Sequence, residues 1–303
     1  MSGEDPERGD TIDGRYLLGD EIGRGGHGVV FRAKDMQSNE MVAVKVLRQN
    51  ISDDPQYAVR LWREAQSLRM LWDESVVRVH RFGHDAGGWV YMVMELLDGE
   101  TLDDYLFDLE GFGDRMSAFE VLRSLDPVAR ALHTAHSKGI IHRDVKPANI
   151  FRLSPELGGG VRLMDFGLVK IAGAEQLTQV GMIAGSPSYI APEVWRSEAF
   201  DHRIDVYSLG AVVFRCFAGR TPFSAPGHLE LFMKVIKDAR PKLSPLRPDL
   251  PPEIDAWVAK ALAIRSDDRY GYVTTMWNDL LRIVMSGTSP SAARARATFR
   301  LPE

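Results

Sequence analysis

The sequence predicts an α+β protein of two lobes: a small antiparallel sheet carrying one helix, and a larger, mainly helical part. Three observations predict it. Residues 15–97 are mostly short apolar stretches separated by polar turns, the pattern of strands. Beyond residue 100 the apolar residues recur at helical spacing. The chain has 303 residues, enough for about two ordinary domains or one large two-lobed one.

Residues 1–13 carry five acids (Glu4, Asp5, Glu7, Asp10 and Asp13) against Arg8 and read as a flexible acidic leader. Residues 29–34 and 41–47 flank the polar stretch 35–40, which predicts a hairpin with a longer loop. Asp53-Asp54-Pro55 is a helix start, a capping acid followed by a first-turn proline. Tyr57, Leu61, Leu68 and Leu71 then share one helical stripe. Residues 89–97 read as a buried strand ending at Asp98-Gly99. A long helix is predicted over 117–138, apolar at 118, 121, 122, 125, 128, 129, 132 and 135 and stopped by Gly139. Pro127 lies inside it, and an interior proline costs roughly 3 kcal/mol, so a kink or break is expected there. Residues 205–218 are apolar on nearly every side and predict a helix buried in the core. Further amphipathic helices are expected over 252–284. Residues 286–303, with Arg294, Arg296 and Arg300, read as a flexible basic tail whose Ser289 and Thr298 are candidate modification sites.

Composition removes whole classes. Apolar residues at 45% and charged residues at 26% exclude a disordered chain, a collagen and a coiled-coil rod. A single cysteine, Cys216, excludes an internal disulfide framework and a thiolate zinc site. The first ten residues have no apolar core for a secretory signal, and no stretch approaches the roughly 18 apolar residues a membrane span needs. A net charge of −5 gives no footprint for nucleic acid. The expectation is a cytoplasmic protein with no nucleic-acid partner and no membrane span.

Chemistry is concentrated in a few motifs. Gly23-Arg24-Gly25-Gly26-His27-Gly28-Val29-Val30 fits G-x-G-x-x-G-x-V. Such glycines either open a helix that holds a pyrophosphate or join two strands as a flap over phosphates. The alternation of residues 29–34 suits the strand version, with an ordinary hairpin turn as the plainer alternative. On the next strand, period two puts Ala43 and Lys45 on one face. A small residue beside a cation suits an adenine with its phosphates; a snorkelling surface lysine is the alternative. Glu64 shares the apolar face of its helix, which is costly without a partner such as Lys45, unless it reaches solvent at the stripe edge.

The run His142-Arg143-Asp144-Val145-Lys146-Pro147-Ala148-Asn149 is the strongest signal: an acid, cations and an amide between apolar segments. Asp144 can accept a hydroxyl proton, Lys146 can neutralise a phosphoryl group, and Asn149 can offer its carbonyl oxygen to Mg²⁺. His142 reads as a core histidine. Asp165, at a strand end in Asp165-Phe166-Gly167, is a natural ligand for a hard cation. Ala191-Pro192-Glu193 and Asp205 follow.

In this order the motifs resemble the protein kinase family, most nearly the bacterial Ser/Thr kinases of eukaryotic type. Asp13-Gly14-Arg15-Tyr16 ahead of the first long strand, and the run from His142 to Asn149, carry that finer likeness. It covers residues 14–285 and implies the two-lobed protein kinase fold, with an N-lobe over about 14–95 and a C-lobe over about 96–285. The resemblance implies that Gly23, Gly25 and Gly28 lie over ATP phosphates, with Arg24, Gly26 and His27 in the same loop. Ile22, Val30 and Ala43 would enclose adenine, with Phe151 and Met164 beneath it. Met94 matches the gatekeeper, and the backbone of Glu95 and Leu97 the hinge. Lys45 would hold the α- and β-phosphates and pair with Glu64. Asp144 matches the catalytic base, Lys146 the γ-phosphate contact, and Asn149 and Asp165 the metal ligands. Glu193 would pair with Arg269, and Asp205 would brace the catalytic loop. Arg143 would take a phosphate on Thr178 as the activating modification, and Ser186 would face the catalytic loop.

The implied reaction is phosphoryl transfer from ATP with Mg²⁺, or Mn²⁺ in its place, to Ser and Thr of protein substrates. Self-association for trans-autophosphorylation goes with it. Two other functions fit the fold: a pseudokinase that binds ATP as a scaffold, and a kinase-like enzyme acting on a small molecule. The first is opposed by the intact set Lys45, Glu64, Asp144, Asn149 and Asp165. The second lacks the long segment from Asp165 and the Ala-Pro-Glu anchor, both present here. The chain departs from the pattern in the longer spacing of Asn149 and Asp165, in Pro127, and in Tyr207 where many members have Trp.

Overall fold

The computed structural model describes residues 6–25, 28–47, 71, 73–166 and 187–286. They fall into two compact units, one ending at Asp98 and one comprising Gly99–Phe166 and the described residues from 187 on. The helix expected after Asp53 and the basic tail lie outside the described residues, apart from Ser286.

The first unit is a six-stranded antiparallel sheet in the order β1-β2-β3-β4-β6-β5. Its strands are β1 Thr11–Ile12, β2 Tyr16–Gly25, β3 Gly28–Asp35, β4 Met41–Leu47, β5 Val79–His84 and β6 Val90–Glu95. Alternation along each strand sorts its side chains by face. Val29, Phe31 and Ala33 of β3, Val42, Val44 and Val46 of β4, and Tyr91 and Val93 of β6 join Ile12, Tyr16 and Leu18 in one apolar cluster. The predicted hairpin is β3–β4, with Lys34 opposite Met41. Its polar turn is tied down by Asp35, which accepts from Arg15 Nε at 2.8 Å and Nη2 at 2.5 Å and from the Gln37 amide at 3.0 Å.

The acidic leader is shorter than the sequence implies. Thr11 and Ile12 pair with Leu17 and Tyr16, and the Gly9 amide donates to Leu18 O at 2.9 Å. Two forces hold this stretch down. Ile12 is an apolar residue inside an acidic run and is buried in the cluster. Asp13 accepts from Tyr91 Oη and Arg81 Nη2, each at 2.7 Å. The strand predicted over 89–97 is also shorter, ending at Glu95; Gly99–Thr101 forms a separate strand, β7.

The second unit contains β7, α1 Leu102–Gly111, α2 Ala118–Ser137, β8 Ile150–Leu153, β9 Val161–Leu163, α3 Pro192–Trp195, α4 Arg203–Ala218, α5 His228–Lys237, α6 Ile254–Ala261 and α7 Val273–Ser286. Strands β7, β8 and β9 form a small antiparallel sheet. Helix α1 begins with a capping box, Thr101 accepting from the Asp104 amide and Asp104 reaching back to the Thr101 amide. Helix α4 is buried on almost every side, as its composition predicts, and ends at Gly219 with φ 67°.

Helix α2 does not break at Pro127. The proline follows exposed Arg123 by one turn and precedes exposed Arg130, so it sits on the wet side of the helix. The Arg123 carbonyl that loses an N–H partner can therefore be hydrated, while Val121, Leu122, Leu125, Val128, Ala129 and Leu132 stay buried on the other face. Beside the proline, buried Asp126 accepts from Trp277 Nε1 of α7 at 2.7 Å.

That bond pins α7 to α2 at the proline. Trp277→Phe removes the donor and keeps an aromatic ring, so it should cost about 1.5–3 kcal/mol, the range for hydrogen bonds to charged groups. Urea unfolding of the variant against wild type measures the loss; an unchanged midpoint would count the bond as negligible.

Candidate active site

In the second unit the run from His142 to Asn149 is a loop held from below by one buried carboxylate. Asp205, in the first turn of α4, has no exposed surface. Its Oδ2 accepts from the His142 amide and from His136 Nε2, each at 2.8 Å, and its Oδ1 from the Arg143 amide at 2.9 Å. Burial alone would raise this carboxyl. The hydrogen bond from His136, the His136 and His142 rings and the His142 amide outweigh burial and hold it below the ordinary carboxylate value.

His142 is the structural histidine its sequence context suggests. Its ring is fully buried and packs on Phe166 with centroids 4.4 Å apart. Nε2 donates to Met164 O at 2.9 Å, and Nδ1 accepts from the Asp144 amide at 3.2 Å. Those two bonds fix the neutral tautomer, and burial lowers its pKa below the usual histidine value.

Asp144 projects from this loop. Its Oδ2 accepts from Lys146 Nζ at 2.9 Å and from Asn149 Nδ2 at 3.0 Å. Asn149 Nδ2 also donates to Asp144 O at 2.8 Å. Two acceptors on one atom define which end of the Asn149 amide is nitrogen, so its carbonyl oxygen points elsewhere. A carbonyl oxygen and the Asp165 carboxylate make the all-oxygen donor pair that a hard divalent cation prefers, and these residues fit Mg²⁺. The Met164 amide donates to Asn149 O at 2.8 Å, which ties together the two segments that carry the candidate ligands, beside β8 and β9. The longer spacing between Asn149 and Asp165 is absorbed by the β8–β9 connection, where Gly158, Gly159 and Gly160 all take positive φ. Phe151 and Met164 lie on β8 and just after β9, both half-buried.

Glu193 and Arg269 form the predicted pair, bidentate at 2.6 and 2.7 Å, with Arg269 fully enclosed. Tyr207, the departure from Trp, lies under that guanidinium at 5.1 Å.

In the first unit Gly23, Val30, Ala43, Lys45 and Met94 share one face of the sheet. Cross-strand neighbours point the same way, and the pairs are Gly23 with Val30, Val30 with Lys45, and Ala43 with Met94. This face is opposite the apolar cluster, so β4 carries Val42, Val44 and Val46 on one side and Ala43 and Lys45 on the other. Gly28 is required where it is: a Cβ there would stand 2.2 Å from Val46 O. Ile22 is exposed, and Arg24 pairs with Glu21 at 2.7 Å. Glu95 exchanges bonds with Arg78, its amide donating to Arg78 O at 3.0 Å and its Oε1 accepting from the Arg78 amide at 2.8 Å. Leu97 is half-buried after the strand ends. Gly26, His27, Glu64, Thr178 and Ser186 lie outside the described residues.

His136 was not legible as part of this site. It stands 69 residues before Asp205, and only the packing of α2 on α4 joins them.

A family model described as "Protein kinase domain" matches residues 16–280. Serine/threonine-protein kinase PknA of Mycobacterium tuberculosis is 39% identical over 269 residues, which cover 88% of this chain and 60% of PknA. Serine/threonine-protein kinase PknL of the same species is 36% identical over 298 residues, covering 98% of this chain and 71% of PknL. Among solved structures, the M. tuberculosis PknI kinase domain superposes with a TM-score of 0.71 at 29% identity, covering 91% of this chain and 99% of that domain. The chain thus spans about 60% of the length of the PknA relatives. No helix among the described residues is long and apolar enough to cross a membrane.

The neutral, buried His142 has a pH signature. The unfolded chain takes up a proton near pH 6.5 that the folded chain refuses, so stability is full above that value and falls as pH drops below it. Asp205 adds nothing over pH 5–7, because its depressed pKa matters only below about pH 4. Unfolding free energy measured from pH 7 to 5 should therefore fall less steeply in His142→Phe, by up to about 1.4 kcal/mol per pH unit. Parallel slopes would remove His142 as the cause.

Proposed function

The chain belongs to the protein kinase family, and on that premise we propose that it is a Ser/Thr protein kinase transferring the γ-phosphoryl group of ATP to hydroxyls of proteins, itself included. The observation that carries this is the Asp144 carboxylate with Lys146 and Asn149 on one oxygen, on a loop fixed by buried Asp205.

In the proposed transfer the acceptor oxygen bonds to the γ-phosphorus, the bond from that phosphorus to the β–γ bridging oxygen breaks, and the hydroxyl proton passes to Asp144. ADP and a phosphoester result. Such a transfer asks for positioning and charge neutralisation more than covalent help from the protein. Lys146 stands beside Asp144 and supplies positive charge where the phosphoryl group moves. A bound magnesium ion would neutralise phosphate oxygens, and Asn149 and Asp165 are the residues to hold it. Lys45 is assigned the α- and β-phosphates, with Glu64 assigned as its partner. Ile22, Val30, Ala43, Met94, Phe151 and Met164 are assigned the adenine, and the backbone of Glu95 and Leu97 its edge. A cytoplasmic location and self-association for trans-autophosphorylation complete the proposal. The names of PknA and PknL support Ser and Thr as acceptors.

Purified chain given Mg-ATP and a generic basic protein should incorporate phosphate on Ser and Thr. Asp144→Asn should lose about 10²- to 10⁴-fold in rate while still binding ATP, since the base and not the nucleotide site is changed. Wild type that binds Mg-ATP yet never transfers would make the chain a pseudokinase.

Thr178 is the proposed activating phosphosite and Arg143 the cation that takes its phosphate, as a bidentate guanidinium can. Thr178→Ala should lower activity on an exogenous substrate at least about tenfold, a loss of one charge-assisted contact or more. Full activity in that variant would dismiss the site.

A further inference from the structure

Helix α1 is covered on one side only. Leu102 and Leu106 are buried, and Asp103 and Glu110 face the Arg215 guanidinium near the end of α4. On the other side Asp104, Phe107, Asp108 and Gly111, spaced i, i+3, i+4 and i+7, are all exposed. Phe107 keeps 72% of its surface, and Phe112, just past the helix, keeps 90%. Two phenylalanines in water at one place serve neither the core nor the proposed transfer, and such a patch marks an interaction site.

Its charge says what would cover it. Helix α1 holds four acids and no base. Arg215 answers Asp103 and Glu110, which leaves Asp104 and Asp108 beside Phe107. Asp108 also stands near the C-terminal end of the helix, where the backbone carbonyls already favour a cation. The patch therefore calls for a segment that mixes cations with apolar residues. Helix α5 exposes Leu229 and Met233 too, but it ends on Lys234 and Lys237 and would repel such a segment.

The chain carries a segment of that kind. Residues 294–301 read Arg-Ala-Arg-Ala-Thr-Phe-Arg-Leu, three arginines around Phe299 and Leu301. It follows α7, and the packing of α7 shows where it starts. Tyr272, just ahead of α7, stacks on His202, whose ring lies 5.2 Å from that of His136 near the end of α2. Further along α7, Trp277 bonds Asp126, which is earlier in α2. The two helices are thus antiparallel, and α7 runs toward the start of α2. At 1.5 Å per residue Ser286 lies about 13 Å beyond Trp277, and Ser117 about 13 Å before Asp126. Helix α1 packs at that same end, where Tyr105 donates to Glu120 in the first turn of α2. The stretch from Ser286 to Arg294 can extend up to about 28 Å, nearly twice the roughly 15 Å length of α1.

We propose that residues 287–303 dock on the exposed face of α1 of the same chain, with their arginines toward Asp104 and Asp108 and Phe299 against Phe107 and Phe112. Arginine suits this face because its fork pairs with a carboxylate and its plane lies on an aromatic ring.

The test needs no catalysis, so it stands apart from the kinase reading. In the phosphatase-treated full chain, trypsin cleavage after Arg294, Arg296 and Arg300 is followed by mass spectrometry. It should be at least about fivefold faster in Phe107→Ser with Asp108→Lys than in wild type, since an exposed ion pair and an aromatic contact are lost. Both positions are exposed, so the melting curve and the other tryptic sites should not change. Equal tail cleavage in wild type and variant would overturn the proposal. A second measurement identifies the occupant. Phe112→Cys with Phe299→Cys, oxidised at low protein concentration, should form a disulfide within one chain; Cys216 is buried and does not compete. A disulfide between chains would give the face to a second copy, and no disulfide would leave the face without the tail; either result overturns the assignment.

Discussion

Asp205 keeps a carboxylate charged where no water reaches it, and the loop from His142 to Asn149 depends on that. An ionised acid in such a place costs several kcal/mol unless donors replace its hydration. The donors among the described residues are the amides of His142 and Arg143 and the ring of His136. The need runs both ways: the acid needs those N–H groups, and the two consecutive amides have no regular secondary structure to satisfy them. The loop is thus held by its backbone, which leaves the side chains of Asp144, Lys146 and Asn149 for chemistry.

The same bonds maintain an unfavourable backbone. Arg143 has φ 66° and Asp165 has φ 50°, in the left-handed region that costs most residues about 1 kcal/mol or more. For Asp165 the short polar side chain lowers that cost. For Arg143 nothing intrinsic does, and its amide is one of the two that Asp205 fixes. The turn at Arg143 places His142 inward, under Phe166 and bonded to Met164 O, while the next residue, Asp144, projects toward Lys146. A buried histidine and the candidate base two residues apart are reconciled by that single backbone reversal.

In the sheet unit the organising constraint is the strand period. β3, β4 and β6 are apolar on the face that meets Ile12, Tyr16 and Leu18. Period two then forces Val30, Ala43, Lys45 and Met94 onto the other face, brought level by the register of the ladder. Burial on one side of the sheet thereby assembles a set of candidate nucleotide contacts on the other. Gly28 is a local condition of that arrangement, because a side chain there would strike the Val46 carbonyl.

Sequence by itself determined whatever depends on local pattern. Period two gave the β3–β4 hairpin and the shared face of Ala43 and Lys45; the all-round apolar run gave the buried helix α4; the run from His142 to Asn149 pointed to the candidate site. Elements without a strong local signal were not legible. Ile12 is one apolar residue in an acidic stretch, and its burial follows from the sheet edge it meets. Pro127 locally argues for a break, and only the placement of its turn toward water shows why α2 continues. Tertiary structure alone decided the long-range partners: His136 with Asp205 across 69 residues, and Arg215 with Asp103, Tyr189 and Glu110 across 112, 26 and 105. The physical reason is that hydrophobic periodicity is a property of neighbouring residues, whereas a buried charge takes as partner whichever donor or acid the packing of distant helices brings within hydrogen-bond reach.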